Sequence, residues 1–330
     1  MRKYKHLLVI LIFSTASLGV SFYAYLTAED VVEFHFSGLD AQVANDGLQD
    51  QSFFSNGNFF QIEEGLPRIS IDFDELVINQ ANQTSLFLRP QGEAYTDSQE
   101  VIYYEARRGH LHEGENRLNL MDEVNLKFEN SELDADKVVY SINKDLIEAS
   151  GSVKTQNYNP ETLDQIQIWA SRLISWPRLK RSEYSGQVRG KIERRRVYEE
   201  AVEFRSEILE LDLNQQLVTL NQDVVMEKQQ LNARAHRGEI YLENYNKRLK
   251  YFALYDDVKL EEQVMLRGES YTRLAFAEKL EGIMSEERLI LTGYPKVYQR
   301  DDVIKGNRIV LRENNEVIEV EDAQSQFIIR

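Results

Sequence analysis

The chain has 330 residues, no cysteine, a formal net charge of −16, and 42% hydrophobic against 28% charged residues. That is enough for one large or two ordinary domains with a packed core. Without cysteine, disulfides, thiolate metal sites and cysteine nucleophiles are excluded, and the acidic balance argues against nucleic acid because the chain as a whole repels phosphates.

Arg2, Lys3 and Lys5 precede an apolar run from Leu7 to Leu26, about the 20 residues a helix needs to cross a hydrocarbon core. Flanking cations stay cytoplasmic, so residues 1–28 read as a single-pass anchor that leaves the bulk of the chain on the far side. A cleavable signal peptide is the competing reading, but Tyr23, Tyr25 and Leu26 spoil a small-x-small cleavage site. Residues 29–65 are of mixed polarity with scattered glycine and asparagine, and read as a tether.

Beyond it the apolar period changes to two. Ile69, Ile71 and Phe73 alternate with polar residues, as do Val124, Leu126 and Phe128, and then Ile208, Leu211 and Leu213. These are strands with one wet face. The single helical candidate is Tyr271 to Leu280, which also reads as a strand pair with a turn. Five segments, 134–156, 204–229, 233–263, 267–300 and 305–327, share a rhythm of strand, polar turn, strand and short closing strand. Their turns carry residues that bend a chain locally, such as Asn143-Lys144-Asp145, Asn214-Gln215-Gln216 and Asn314-Asn315. One such unit cannot bury its own apolar face, so neighbours must stack and share a core. Pro160 and its polar neighbours mark a module boundary near 157–162.

Several motifs carry a family resemblance. Leu291-Thr292-Gly293-Tyr294-Pro295-Lys296-Val297, then Gln299, Asp301 and Ile304-Lys305-Gly306-Asn307-Arg308-Ile309, resemble the glycine-valine step and following stretch of the OstA-like LptA family of lipopolysaccharide-transport bridge proteins; Asn307 stands where that family usually has Asp. Upstream, Val101 to Gly109, Leu118-Asn119-Leu120, Asp122 to Leu126, Leu133 to Tyr140 and Gly151-Ser152-Val153 are similar to the anchored LptC partner.

The resemblance implies an all-β, elongated β-jellyroll of two antiparallel sheets with an open slot, after one N-terminal transmembrane helix. It implies an LptC-like jellyroll over 66–160 and an OstA/LptA-like one over 161–330. The chain would then be an inner-membrane-anchored periplasmic bridge that takes lipopolysaccharide from the permease subunits of an ABC transporter and joins the next jellyroll by edge-strand pairing. It would do no chemistry and need no cofactor. Acyl chains would replace water in the slot at about 0.8 kcal/mol per buried methylene. The slot candidates are Ile69, Ile71, Phe73, Val124, Leu126, Phe128, Val138, Tyr140, Leu211, Leu213, Val224 and Met226. Each reads equally as ordinary sandwich core.

Two further features stand out. Between Trp176 and Arg196 the cations Arg178, Lys180, Arg181, Arg189, Lys191, Arg194, Arg195 and Arg196 gather in an acidic chain. Arginine forks grip phosphate, so the run could hold lipid phosphates at the slot rim or meet a partner; a solvated strand pair balanced by Glu193, Glu199 and Glu200 is the bland alternative. The last strand, with Val317, Val320 and Phe327-Ile328-Ile329, offers an edge for another chain, or closes its own sheet.

Catalytic signals are weak. His110 and His112 share one strand face with no further metal ligand in view and read as turn residues. Asp72-x-Asp74 and Asp134-x-Asp136 resemble solvent-face alternation, and no nucleophile elbow, phosphate loop or H-E-x-x-H occurs. The competing functions are an anchored β-repeat scaffold or adhesin without lipid cargo, and an envelope polysaccharide hydrolase or lyase using such acid pairs.

Overall fold

A computed structural model describes residues 51–63, 65–96, 100–158, 165–193, 201–228, 230–242, 249–266, 269–283, 288–312, 318–322 and 324–326. The apolar run 7–26 lies outside these residues. Among the described residues no helix is long and apolar enough to cross a membrane.

Among the described residues everything regular is strand, apart from single helical turns at 113–115, 142–144 and 177–179. The strands are β1 (Gln51–Glu63), β2 (Leu66–Asn79), β3 (Thr84–Leu88), β4 (Gln91–Tyr95), β5 (Val101–Glu105), β6 (Arg108–His112), β7 (Arg117–Phe128), β8 (Ser131–Ser141), β9 (Leu146–Tyr158), β10 (Gln165–Trp176) and β11 (Arg181–Glu193). They continue as β12 (Val202–Asp212), β13 (Leu217–Lys228), β14 (Leu231–Leu242), β15 (Leu249–Leu266), β16 (Glu269–Ile283), β17 (Arg288–Thr292), β18 (Lys296–Gln299), β19 (Asp302–Lys305), β20 (Arg308–Arg312), β21 (Ile318–Glu321) and β22 (Gln324–Gln326). From β7 to β16 each strand pairs antiparallel with the next.

The long strands break at their middles. Asp122-Glu123, Gln222-Asp223 and Asp256-Asp257 all have positive φ, and Gly151, Gly186 and Gly293 take the same role in their strands. At each break one strand carries an extra residue relative to its neighbour: Asp122 and Glu123 lie opposite Asp136 alone, between the pairs Met121–Lys137 and Val124–Ala135. A bulge bends the strand and resets which side chains face inward. Here the reset keeps the apolar side inside, so that Leu118 and Leu120 before the break and Val124 and Leu126 after it are all buried. Glycine is required where the crease is tightest. Gly151 has φ +73°, and a Cβ there would fall 2.3 Å from Asp136 Oδ2.

Successive breaks align into one crease that folds the ladder into two facing half-sheets around a shared core. The ends show this split directly. β7 pairs with β6 over its first half and with β5 over its second, and β16 pairs with β18 before the crease and β17 after it. The first half-sheet carries the turns at 142–145, 177–180 and 213–216; the second carries that at 129–130 and the Lys228–Leu231 end of the β13–β14 pair.

Four expectations change. The all-β antiparallel reading stands, but in place of two separate sheets one continuous ladder is creased, because every long strand contributes to both layers. Residues 51–63 are not tether: they form β1, whose Phe59 packs against Phe87 with ring centroids 5.7 Å apart. Tyr271 to Leu280 is not helical but the middle of β16, where Arg273, Ala275 and Ala277 point inward while β15, β17 and β18 take its backbone hydrogen bonds. The sheet also does not break near 157–162, since β9 and β10 pair from Gln165–Tyr158 onward.

Candidate functional site

Opposite the crease the half-sheets part into a mouth. A cavity of about 300 Å³ opens there between β5 and β7–β9 on one side and the turns after β10 and β12 on the other. Its apolar lining includes Ile102, Leu126, Phe128, Leu133, Ile147, Leu173, Leu211 and Leu213, and its rim carries Glu100, Glu129, Glu132, Lys180 and Arg181. Phe128 and Leu213 are half-buried and sit at its lip.

The rim is built by one turn holding the next. The Ile142 amide donates to Asn116 O at 2.9 Å, the Arg178 amide to the Asp145 carboxylate at 3.2 Å, and the Leu213 amide to Lys180 O at 3.0 Å. Asp145 and Lys180 adopt left-handed backbone, which lets each turn expose its next amide. Deeper in, the Thr155 and Tyr184 hydroxyls lie 3.1 Å apart. Burial pushes the Tyr184 phenol up to about 12, so it stays neutral.

The cavity has a chemical boundary along the ladder. The inward row of the second half-sheet runs Ile69, Ala94, Ile102, Phe128, Ser131, Asn157, Ile166, Ile192 and Val202. From β13 onward it becomes Lys228, Leu231, Glu262, Arg273 and Gln299. The Arg273 guanidinium and Glu262 carboxylate, both buried, pair at 3.2 Å.

All twelve slot candidates belong to the inward face. The cavity gathers only Leu126, Phe128, Leu211 and Leu213 of them. Ile69, Ile71, Val124, Val138, Val224 and Met226 are at most 1% exposed, and Phe73 and Tyr140 are also packed. Ile102, Ile147, Leu173 and Tyr184 were missed; their alternation was readable, but their place at the mouth depends on the crease.

The basic run does not form one patch. Arg178, Lys180 and Arg181 sit at the 177–180 turn and the start of β11, with Arg181 3.6 Å from Asp212, whereas Arg189 and Lys191 lie past the crease on the outer face of the second half-sheet. Lys191 pairs with Glu193, which raises its pKa. Arg194, Arg195 and Arg196 lie outside the described residues. The run is therefore an ordinary hairpin, β10–β11, that belongs to the repeat series.

Register also sorts the surface charge. One outer row of the first half-sheet carries Glu148, Glu183, Glu210, Glu239 and Glu281; an outer row of the second carries Lys154, Arg189, Arg205, Arg234 and Lys259.

The acid pairs behave as surface. Asp72 accepts from Asn58, Asp74 pairs with Arg89, and Asp134 accepts from Asn125 at 2.8 Å. His110 and His112 are strand residues of β6, not turn residues, with ring centroids 3.9 Å apart. Among the described residues no group of three or more such side chains could hold a metal ion. Burial, with smaller contributions from His112 and Arg117, pulls the His110 pKa down to about 4 from 6.5. Between those values the unfolded chain takes a proton that the folded one refuses, so stability falls as pH drops from 6.5 toward 4 and is flat above. Urea midpoints at pH 7.5 and 5 are expected to differ more for the parent chain than for His110→Asn.

Residues 203–317 match the family model described as LptA/(LptD N-terminal domain) LPS transport protein. The match is confined to this part of the chain. The matched region runs from β12 to the approach to β21. The LptA/LptD N-terminal family is one of transport proteins, not enzymes. Among solved structures the chain is similar to the crystal structure of LptH, the LptA-homologous periplasmic component of the lipopolysaccharide transport device of Pseudomonas aeruginosa, with 14% identity and a TM-score of 0.35 over 39% of this chain and 94% of that one. A search of the curated proteins finds no match.

Proposed function

We propose that this protein is a periplasmic bridge component of lipopolysaccharide transport, carrying lipid acyl chains in the mouth between its half-sheets. The observation that carries this reading is the cavity itself. It is apolar within and polar at the rim, which suits a ligand with hydrocarbon tails and a charged head. The family match over 203–317 supports the transport role. Hairpins β7–β8 and β10–β11 repeat the creased geometry upstream of the match, so the mouth and the matched region share one ladder.

The finer parts of the reading are an anchor at 7–26 in the inner membrane, an LptC-like origin for 66–160, delivery from ABC-transporter permease subunits, and strand addition at the ladder's ends. Among the described residues β1 pairs with β2 alone, β21 with β20 alone and β22 with β19 alone, which leaves backbone edges at both ends for a neighbouring jellyroll. Val317 and Phe327–Ile329 of the expected terminal strand lie outside the described residues; Val320 is in β21. The exposed β1 side chains Phe53, Phe54, Phe60 and Ile62 are where such a neighbour would gain contact.

Photocrosslinkers at Phe128 and Leu213 in envelope membranes test the lipid path. Adducts with lipopolysaccharide are expected at both positions, only with ATP, and not at Glu210 on the outer face. Glu129 would be a poor control because it lines the cavity. Absence of adducts from a folded chain would favour a scaffold without lipid cargo.

A further inference from the structure

On the outer face, beside the crease, a second and larger groove of about 730 Å³ lies over β10–β12. It is lined by Trp169, Gln187, Arg189, Lys191 and Arg205, with Glu203 and Glu227 also present. Its floor is the crease, where Ser171 Oγ donates to Gly186 O at 3.1 Å and a Cβ on Gly186 would meet Ser171.

Register makes this groove unusual. Trp169 on β10 is directly opposite Arg189 on β11, and Arg189 is directly opposite Arg205 on β12. Like charges facing one another across a ladder are destabilising unless something of opposite sign lies between them. Glu227 pairs with Arg205. Lys191 is held by Glu193. Arg189 has no carboxylate at ion-pair distance among the described residues, and its guanidinium is exposed. Arg234 and Lys259, and Lys296 and Lys305, are also opposed along this row, but neither pair has an indole beside it in the register. Along this row, among the described residues, two guanidiniums, a half-buried indole and a concave surface coincide only at Arg189.

We propose that this groove is a second binding site, for a phosphorylated sugar, with the indole of Trp169 under the sugar ring and Arg189 gripping the phosphate beside the Glu227-paired Arg205. Guanidinium forks match phosphate in bidentate geometry, and the negative face of an indole suits the C–H bonds of a pyranose. The site lies on the far side of the second half-sheet from the mouth and does not rest on the lipid-path reading.

The chain provides its own reporters, because its two tryptophans are divided between the sites: Trp169 in the groove and Trp176 at the mouth. In the full chain carrying Trp176→Phe, N-acetylglucosamine 1-phosphate is expected to change the Trp169 emission saturably. Arg189→Gln should weaken that binding at least tenfold, and Arg189→Lys by less, since lysine keeps the charge but not the fork. N-acetylglucosamine and inorganic phosphate should each bind at least tenfold more weakly than the sugar phosphate. No saturable change, a change indifferent to Arg189→Gln, or equal binding of inorganic phosphate would overturn the proposal. The Trp169→Phe chain, titrated with lipopolysaccharide, reports on the mouth alone; a silent Trp176 beside a responsive Trp169 would sink the lipid path and leave the groove standing.

Discussion

Removing either partner of the buried Arg273–Glu262 pair is expected to cost about 3–5 kcal/mol of stability, whereas replacing both with apolar side chains of similar size is expected to leave stability unchanged or higher. Alternation turns both side chains inward, and the register sets them directly opposite each other on β15 and β16. Their side chains are 3% and 0% exposed. Taking Arg273 away leaves a carboxylate beside Leu260, Val264 and Ala275, all fully buried, without the guanidinium it pairs with. Taking both away removes the desolvation cost together with the attraction. Arg273→Met, Glu262→Leu and the double variant can be compared by urea denaturation. Amide exchange in β15 and β16 should accompany it, because a ladder of repeats can lose local structure before it unfolds globally. If the double variant is as unstable as the singles, the pair itself binds β15 to β16.

The second large effect is expected at Phe252. This ring lies across the strand from Gly282, where a Cβ would fall only 1.9 Å from Phe252 Cε1. Gly190 and Phe204 repeat the arrangement, with 2.0 Å to Phe204 Cζ. A buried ring covering a strand glycine fills the space its missing side chain leaves. Phe252→Ala is expected to cost about 3–5 kcal/mol through the cavity it opens. Gly282→Leu alone should cost about 1–3 kcal/mol by overpacking. Combined, the two should cost clearly less than their sum, because the leucine enters the space the ring vacated. Additive costs in the same denaturation series would show that the ring and the glycine do not share that space.

Much of the fold was legible because β-structure writes its faces with a period of two. Ile69, Ile71 and Phe73, or Val124 and Leu126, alternate with polar neighbours, and the structure buries them as that pattern requires. The turns at 142–145 and 213–216 were likewise visible in their asparagines and aspartate. The β10–β11 hairpin is less legible, because Pro177 and Gly186, the residues that shape its turn and its crease, lie within a run of cations with little apolar alternation. β1 was hidden for a different reason. QSFFSNGNFFQIE has its apolar residues in adjacent pairs, and at the ladder's end it needs no single buried face.

The candidate sites were less legible than the strands that build them. Alternation named inward residues, yet it does not say where along the ladder the half-sheets part, and only Leu126, Phe128, Leu211 and Leu213 of the twelve reach the mouth. The basic run looked like one patch because it is contiguous in sequence. A crease passes through it between Ser185 and Val188, which sends Arg181 to the mouth and Arg189 to the opposite face.

By itself, then, the sequence determined an antiparallel all-β chain of repeated hairpins, the residues that point inward, and the likeness of 203–317 to the LptA/LptD N-terminal family model. Local periodicity and turn chemistry suffice for these, since each depends only on neighbours in the chain. Tertiary structure decided that one ladder folds on itself, that the mouth opens beside β7–β13 and gives way to a buried ion pair further on, and that Trp169, Arg189 and Arg205 meet across three strands. Those outcomes depend on register, and register is set by bulges whose positions matter only once neighbouring strands are paired.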